Sequence, residues 1–187
     1  MEYSVKSGKV RVLGSSSILA HQMLMYQNIA KEKGYARFEV MENHYNLLYR
    51  EEEREMIPLC KELDVSLIPY SPLAAGHLAR INWDSDSIRS LSDDVAKRRY
   101  DASEDVDKLI VERVAELAKK RNIKMSEVAL SWLYKKGVAS PIIGASKTKY
   151  IDDAINALNV ELSDEEVSYL EKLYVPHPLK GPIIKKN

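Results

Sequence analysis

Short apolar runs rich in β-branched residues alternate along the chain with longer segments in which apolar residues recur every three or four positions. "KVRVLG" (9–14) predicts a strand, and 18–33 a helix that stops at Gly34, a residue suited to the left-handed C-cap. "RFEVMENHY" (37–45) predicts a second strand and "REEEREMIPLCKELD" (50–64) a second helix, with a kink at Pro58. "VSLIPYSPL" (65–73) predicts a third strand running into a loop. From 104 the helical period returns, with Val106, Leu109, Ile110, Val114 and Leu117 expected on one buried face. A further helix (126–137) turns Val128, Trp132 and Leu133 inward and stops at Gly137. "ASPIIG" (139–144) predicts the fourth strand, followed by a helix from near Lys147, and "SDEE" (163–166) opens the last helix as a capping box.

Four strand-then-helix units in succession imply an α/β fold with parallel strands joined by helical crossovers. The polar stretch 74–104, rich in Asp, Ser and Arg, is far longer than the usual connection of about 4–6 residues, which marks it as a functional or disordered loop.

Composition narrows the classes. The 187 residues are 45% hydrophobic and 30% charged, with 28 acidic against 28 basic side chains, enough for one core and without a break that would divide the chain. Zero net charge argues against bulk nucleic-acid binding, and Lys97, Arg98 and Arg99 read as a solvated loop. Cys60, the single cysteine, excludes an internal disulfide and suits a small core position. "MEYSVKSGKVRVLG" has no apolar signal-peptide core, and no run approaches the ~18 apolar residues of a membrane span. These features predict a cytoplasmic protein. No HExxH, CxxC or GxSxG occurs, so metal and nucleophile-elbow chemistry find no support.

Candidate chemistry gathers at "VASPIIGASKTKYIDDAI" (138–155). A strand ending at Gly144, with Ser146 at a helix start, aims backbone N–H groups and the positive helix end at one spot, and Lys147 and Lys149 add charge there. Such a turn suits a phosphate. Its plainer reading is an N-capping serine beside solvated lysines. A second glycine-bearing strand exit, "YSPLAAGHL" (70–78), is expected at the same end of the sheet, so that two anion-friendly loops form one nucleotide site. His21, His44, His77 and His177 read as surface or packing residues, because no positioned partner is evident for any of them.

"GSSS" (14–17), "MENHYNLLYREEEREMIPLC" (41–60), "IPYSPLAAGHL" (68–78) and "SPIIGASKTKYIDDAINALNVELSDEE" (140–166) together resemble the C-terminal half of aldo-keto reductases, in the branch of aryl-alcohol dehydrogenase-like reductases and potassium-channel β subunits. The resemblance runs in order over essentially the whole chain. It implies a partial (β/α)8 TIM barrel comprising the last four βα units, strands 5–8, plus C-terminal helices, as a single domain over 1–187. It also implies NADP(H) at the barrel's C-terminal face and reduction of aldehydes or ketones. By the same resemblance, Ser16 and Ser17 hold the nicotinamide carboxamide and Tyr70 stacks on the nicotinamide ring. Ser71, Pro72, Leu73 and Gly76 wrap the pyrophosphate, and Arg89 falls near a phosphate-clamping arginine. Gly144, Ser146, Lys147, Tyr150 and Asp153 match the segment that contacts the adenosine and its 2′-phosphate, the lysine favouring NADP(H).

Two departures matter. Glu42 stands where the family usually has a carboxamide-binding glutamine. A carboxylate accepts from the amide NH2 but cannot donate to its carbonyl, and it favours the cationic oxidised ring. The family's catalytic Asp, Tyr, Lys and His lie in the first half of the barrel, which is expected to be absent here, so no catalytic residue is assigned. An open half-barrel leaves two unpaired edges, near 9–13 and 140–143, and strips the opposing layers from Val10, Val12, Val40, Leu67 and Ile142 or Ile143. Three readings stand: an oxidoreductase component completed by a complementary half-barrel chain or a second copy of itself, with a small carbonyl substrate; a non-catalytic dinucleotide-binding or regulatory module; or a non-functional gene fragment.

Overall fold

A computed structural model describes residues 1–82, 100 and 104–179. Three short parallel strands, β1 (Leu13–Ser16), β2 (Phe38–Glu42) and β3 (Ser66–Leu67), form a sheet in the order β1-β2-β3, each joined to the next by helix. Their register places Ser15, Met41 and Leu67 side by side on one face, and Gly14, Val40 and Ser66 on the other. Met41 and Leu67 are buried, whereas Gly14 and Ser66 are exposed, so the first face carries the core. Leu67 therefore does not belong with the uncovered residues expected from the sequence. Strand alternation turns it toward the helices, while Val12 and Ile142 are indeed exposed, at 52% and 43%.

The expected fourth strand is present only as an extended segment beside β3. Ala139 N donates to Leu67 O (3.0 Å) and Ile142 N to Pro69 O (2.9 Å). A regular parallel ladder would bring Pro69 O to residue 141, but Pro141 has no N–H, so the bond moves on by one residue and the regular pattern is lost. At the other edge the strand begins later than predicted. Val10 N is drawn back to Ser4 O (3.0 Å) by a short helix, α1 (Glu2–Lys6), whose Glu2 side chain accepts from Ala36 N (2.9 Å).

Helix α2 (Ala20–Lys33) ends at Gly34 with φ +64°, the expected left-handed cap. Its inward face carries a polar residue, since buried Gln27 clasps the backbone of Phe38, donating to its O (2.8 Å) and accepting from its N (2.9 Å). The segment predicted as one kinked helix is a 3₁₀ turn, Glu51–Glu53, followed by α3 (Met56–Glu62). Pro58 is the third residue of α3, in the first turn, where its missing N–H has no intrahelical partner to lose, and no kink follows. After β3 a 3₁₀ segment spans Ala74–Ala79.

Helix α4 (Glu104–Arg121) packs on α5 (Met125–Lys135). Its buried stripe is Asp107, Ile110, Val111, Val114, Leu117 and Ala118, and Leu109, expected inside, is 47% exposed. In α5, Val128, Trp132 and Leu133 are fully buried as predicted. Helices α6 (Thr148–Asn156) and α7 (Asp164–Glu171) complete the layer. The capping box of α7 forms, with Glu166 N donating to Ser163 Oγ (3.2 Å) and Ser163 N to Glu166 Oε2 (2.9 Å). Arg121 grips the same carboxylate at 2.8 and 2.6 Å, tying α7 to the end of α4. No helix among the described residues is long and apolar enough to cross a membrane.

Candidate functional site

The parallel register brings the strand ends together. Ser16 lies opposite Glu42, Ser17 N donates to Glu42 O (3.1 Å), Tyr70 N donates to Asn43 O (2.9 Å), and a bridge links His44 to Tyr70. Ser16, Ser17, Glu42, Tyr70 and Ser71 thus occupy one edge, at the C-terminal ends of three neighbouring strands. Ile142, hydrogen-bonded to Pro69, sets Gly144 next in that series. Five residues at these exits adopt left-handed backbone: Ser17 (φ +49°), Ser71 (+54°), Ala74 (+49°), Ala75 (+56°) and Gly76 (+98°). Four of them carry a Cβ and bear its steric cost, a kind of strain that concentrates at ligand-binding turns.

Gly76 is required twice over. Its φ disfavours an L side chain, and an added Cβ would stand 3.3 Å from Arg80 Nη1. The Arg80 guanidinium thus lies against the 71–76 turn at Gly76, and among the described residues its buried Nε has no hydrogen-bond partner. Sequence reading did not single out Arg80. The only signal for it was a cation four residues beyond the glycine of a tight turn. Pro72 is buried and Leu73 packs at the margin of the core, so these two anchor the loop from below.

In the second loop, Gly144, Ser146, Lys147 and Tyr150 are exposed, Tyr150 at 41%. The N-cap position of α6 falls to Lys147, with extended backbone (φ −140°, ψ 144°) and no side-chain cap bond, rather than to Ser146. Asp153 is buried and ion-paired with Lys124 at the start of α5. Arg89 lies outside the described residues.

The histidines have more partners than the sequence reading allowed. His44 is 2% exposed, its Nε2 lies 2.8 Å from Tyr100 Oη, and its ring stacks between Tyr49 (4.3 Å between centroids) and Tyr70 (5.2 Å). Asn46, fully buried, donates from Nδ2 to Ser71 O (2.8 Å) and to Tyr100 Oη (3.1 Å). His77 is buried against the Tyr100 ring. His177 Nε2 sits 3.0 Å from an Asp107 carboxylate oxygen, both side chains being almost fully buried, and its backbone N donates to Glu51 Oε1 (2.8 Å). The expectation that no positioned partner exists is therefore corrected for His44 and His177. Their partners lie 56 and 70 residues away in sequence, beyond any local pattern.

Behind the strand ends, Arg50 makes a paired contact with Glu53 (3.1 and 2.7 Å) and a second with Glu171 (3.0 Å), and Tyr45 Oη donates to Glu53 (2.6 Å). Burial alone would raise the Glu53 pKa, but the Arg50 and Tyr45 hydrogen bonds and the charges of Arg50 and Lys136 hold it below the usual carboxylate range. Glu52 is shifted upward by burial first and then by the charge of Glu51. Among the described residues no group of His, Cys, Asp and Glu is placed to hold a metal ion.

This geometry agrees with what the chain is similar to. The model of the aldo/keto reductase family matches residues 1–175. An aldo-keto reductase of Fusarium vanettenii is 49% identical over 178 residues, covering 95% of this chain and 48% of its own length. A putative aryl-alcohol dehydrogenase of Schizosaccharomyces pombe is 45% identical over 180 residues, 96% of this chain and 50% of its own. Versiconal hemiacetal acetate reductase of Aspergillus parasiticus is 43% identical over 178 residues, 93% and 52%. The chain spans about half the length of the curated relatives it matches, and it belongs to the aldo/keto reductase family.

Proposed function

We propose that this chain supplies the cofactor-binding half of an NADP(H)-dependent reductase of aldehydes or ketones, folded as the last four βα units of a (β/α)8 barrel in one domain over 1–187. The observation that carries the reading is the gathering of Ser16, Ser17, Glu42, Tyr70 and Ser71 at the C-terminal ends of adjacent parallel strands, beside the strained 71–76 turn. The residues fit a dinucleotide phosphate group. The turn lies against a guanidinium whose buried Nε has no partner among the described residues, and an anion at that turn would give it one.

In this reading Ser16, Ser17 and Glu42 orient the carboxamide, and Tyr70 offers a flat apolar ring that fixes which face of the nicotinamide is presented. Ser71 to Gly76, with Arg80, cradle the pyrophosphate, while Lys147 and Tyr150 at the start of α6 meet the adenosine end. The bound nicotinamide supplies or accepts a hydride. The proposed cofactor residues bind and orient the dinucleotide, so the proton donor for the carbonyl oxygen is assigned to the four complementary βα units, contributed by further polypeptide or a partner chain. The substrate class is a small aldehyde or ketone, consistent with the aryl-alcohol dehydrogenase and reductase names of the relatives.

Calorimetric titration tests the assignment. NADPH should bind more tightly than NADH, and Lys147→Ala should weaken NADPH about tenfold or more while leaving NADH unchanged, as expected for a lost charge-assisted phosphate contact. Equal affinities for NADPH in the two proteins would remove Lys147 from the site. The 187-residue chain alone should not oxidise NADPH in the presence of an aromatic aldehyde, since a missing general acid alone costs about 10²–10⁴ in rate. Steady turnover would show that the proton donor lies within these residues.

A further inference from the structure

Resting on that reading of Tyr70, we infer that His44 is a positioning residue for the cofactor ring: its imidazole backs the Tyr70 ring and holds it at the angle at which a planar ligand stacks on the opposite face. The sequence suggested only a surface or packing role for His44. The geometry gives that role a direction. His44 and Tyr70 face each other across neighbouring strand ends, and their rings lie parallel within 8° at 5.2 Å between centroids. On its other side His44 stacks on Tyr49 within 14° at 4.3 Å. The three rings form one column, buried at Tyr49 (2% exposed) and at His44, and only half-buried at Tyr70.

Two contacts stop the column from sliding. Tyr100 Oη holds His44 Nε2 at 2.8 Å, and Asn46, two residues on, holds the carbonyl of Ser71, the residue after Tyr70, while also donating to Tyr100 Oη. The ring and the strained turn that follows it are thus fixed from the same strand exit. A half-buried side chain with two rotatable bonds gains order from a stacked neighbour, and order present before binding does not have to be imposed on binding. A flat ligand that stacks on the face of Tyr70 turned away from His44 becomes the next layer of an offset stack.

The test compares two probes on the 187-residue chain: NADPH, which reaches Tyr70, and 2′,5′-ADP, which carries only the adenosine end. His44→Leu and His44→Gln, the latter keeping a donor for Tyr100, should weaken NADPH about three- to tenfold, the size of a lost aromatic pair, with 2′,5′-ADP affected less than about twofold. His44→Phe, which keeps a planar ring, should recover most of the loss. In a Tyr70→Leu background the His44 substitutions should have no further effect on NADPH. Unchanged NADPH affinity in both ring-less variants overturns the inference, as does an equal loss of both probes, which marks a merely structural histidine. A wild-type chain that binds neither probe refutes the cofactor reading itself, and the inference falls with it. A wild-type chain that binds both, with the ring-less variants indistinguishable from it, refutes His44 alone.

Discussion

Glu42 puts a negative charge at the end of β2, opposite Ser16 and next to the strand exit that carries Tyr70. A carboxylate accepts hydrogen bonds and donates none, so against a carboxamide it satisfies the NH2 and leaves the carbonyl to Ser16 and Ser17. Beside an oxidised nicotinamide it also gains Coulomb attraction, roughly 1 kcal/mol at a half-exposed site, which a neutral reduced ring does not return. Glu42→Gln should therefore raise NADPH affinity relative to NADP+ by about three- to tenfold. Competition titration reads this ratio directly, and a ratio unmoved by the substitution would place Glu42 away from the ring. A second residue-scale consequence concerns Cys60. Burial, with Glu52's charge adding to it, pushes its thiol up to about 11, so the reactive thiolate is scarce at neutral pH. Iodoacetamide at pH 8 should leave the folded chain unlabelled and modify it only in urea. Fast labelling of the native protein would mean that the α3 face opens.

At the scale of elements, the turn 50–53 is joined to α5 and α7 by shared charges. Glu171 accepts from Arg50 (3.0 Å) and from Trp132 Nε1 (2.8 Å), Lys136 reaches Glu171 (3.2 Å) and Glu53 (3.5 Å), and the Arg50 guanidinium lies 5.0 Å from the Tyr174 ring centroid. Glu53 has a lowered folded pKa, so its contribution is complete above the unfolded value near 4.3 and is lost as pH falls through the folded value. Glu53→Gln should cost about 1–3 kcal/mol at pH 7, and the gap between variant and wild type should narrow below about pH 4. Parallel urea melts at pH 7 and pH 3 measure both, and a gap constant with pH would mean that Glu53's charge contributes nothing.

These ties also separate what the sequence disclosed from what it did not. Periodicity located α2, α5 and α7 because each buries a stripe or carries a cap within its own residues: Gly34, Val128 with Trp132, and Ser163 with Glu166. It misassigned Leu109 because α4's inward stripe includes a charged residue, Asp107, that is accommodated only by His177 from the tail. Pro58 was given the wrong consequence and Pro141 none, since the effect of a missing N–H depends on where the helix begins and on which neighbour needs the bond. The strand-exit residues came from a resemblance to a family. The residues that hold them, His44, Asn46 and Tyr100, are joined by contacts spanning up to 56 positions, which no local pattern displays.

For the whole molecule, the deciding feature is the sheet face that none of the described helices covers. Gly14, Ser16, Val40, Glu42 and Ser66 lie on it by register, and Ile142 is exposed beside it. At the β1 side, Val12 and the α2 residues Leu24, Met25, Tyr26 and Ile29 are each at least 40% exposed; at the far side so are Ile142, Ile151, Ile155 and Leu158. Single exposed apolar residues are ordinary, but here they gather at the two sides from which the sheet would continue in the proposed barrel, and an open sheet edge offers unpaired backbone groups there as well. The two edges differ. β1 keeps a continuous ladder with β2 from Gly14 to Ser16, beyond a register shift at Leu13/Gly14, whereas the 139–143 edge is interrupted at Pro141, which makes β1 with α2 the stronger docking side. The tail works against association by satisfying buried groups internally, through Tyr174 and His177 on Glu51 and His177 on Asp107, but those contacts lie around the 50–53 turn and α4, not over the uncovered face. The 187-residue chain should therefore self-associate in sedimentation velocity. Adding a polypeptide that carries the four complementary βα units should replace that association with a one-to-one complex. Charged substitutions on α2, Leu24→Glu with Ile29→Lys, should weaken the complex by at least tenfold, because an apolar interface strips water from each charge and offers it no partner. A monodisperse monomer with one cooperative unfolding transition, indifferent both to the complementary units and to the α2 charges, would show that this face needs no second polypeptide to cover it.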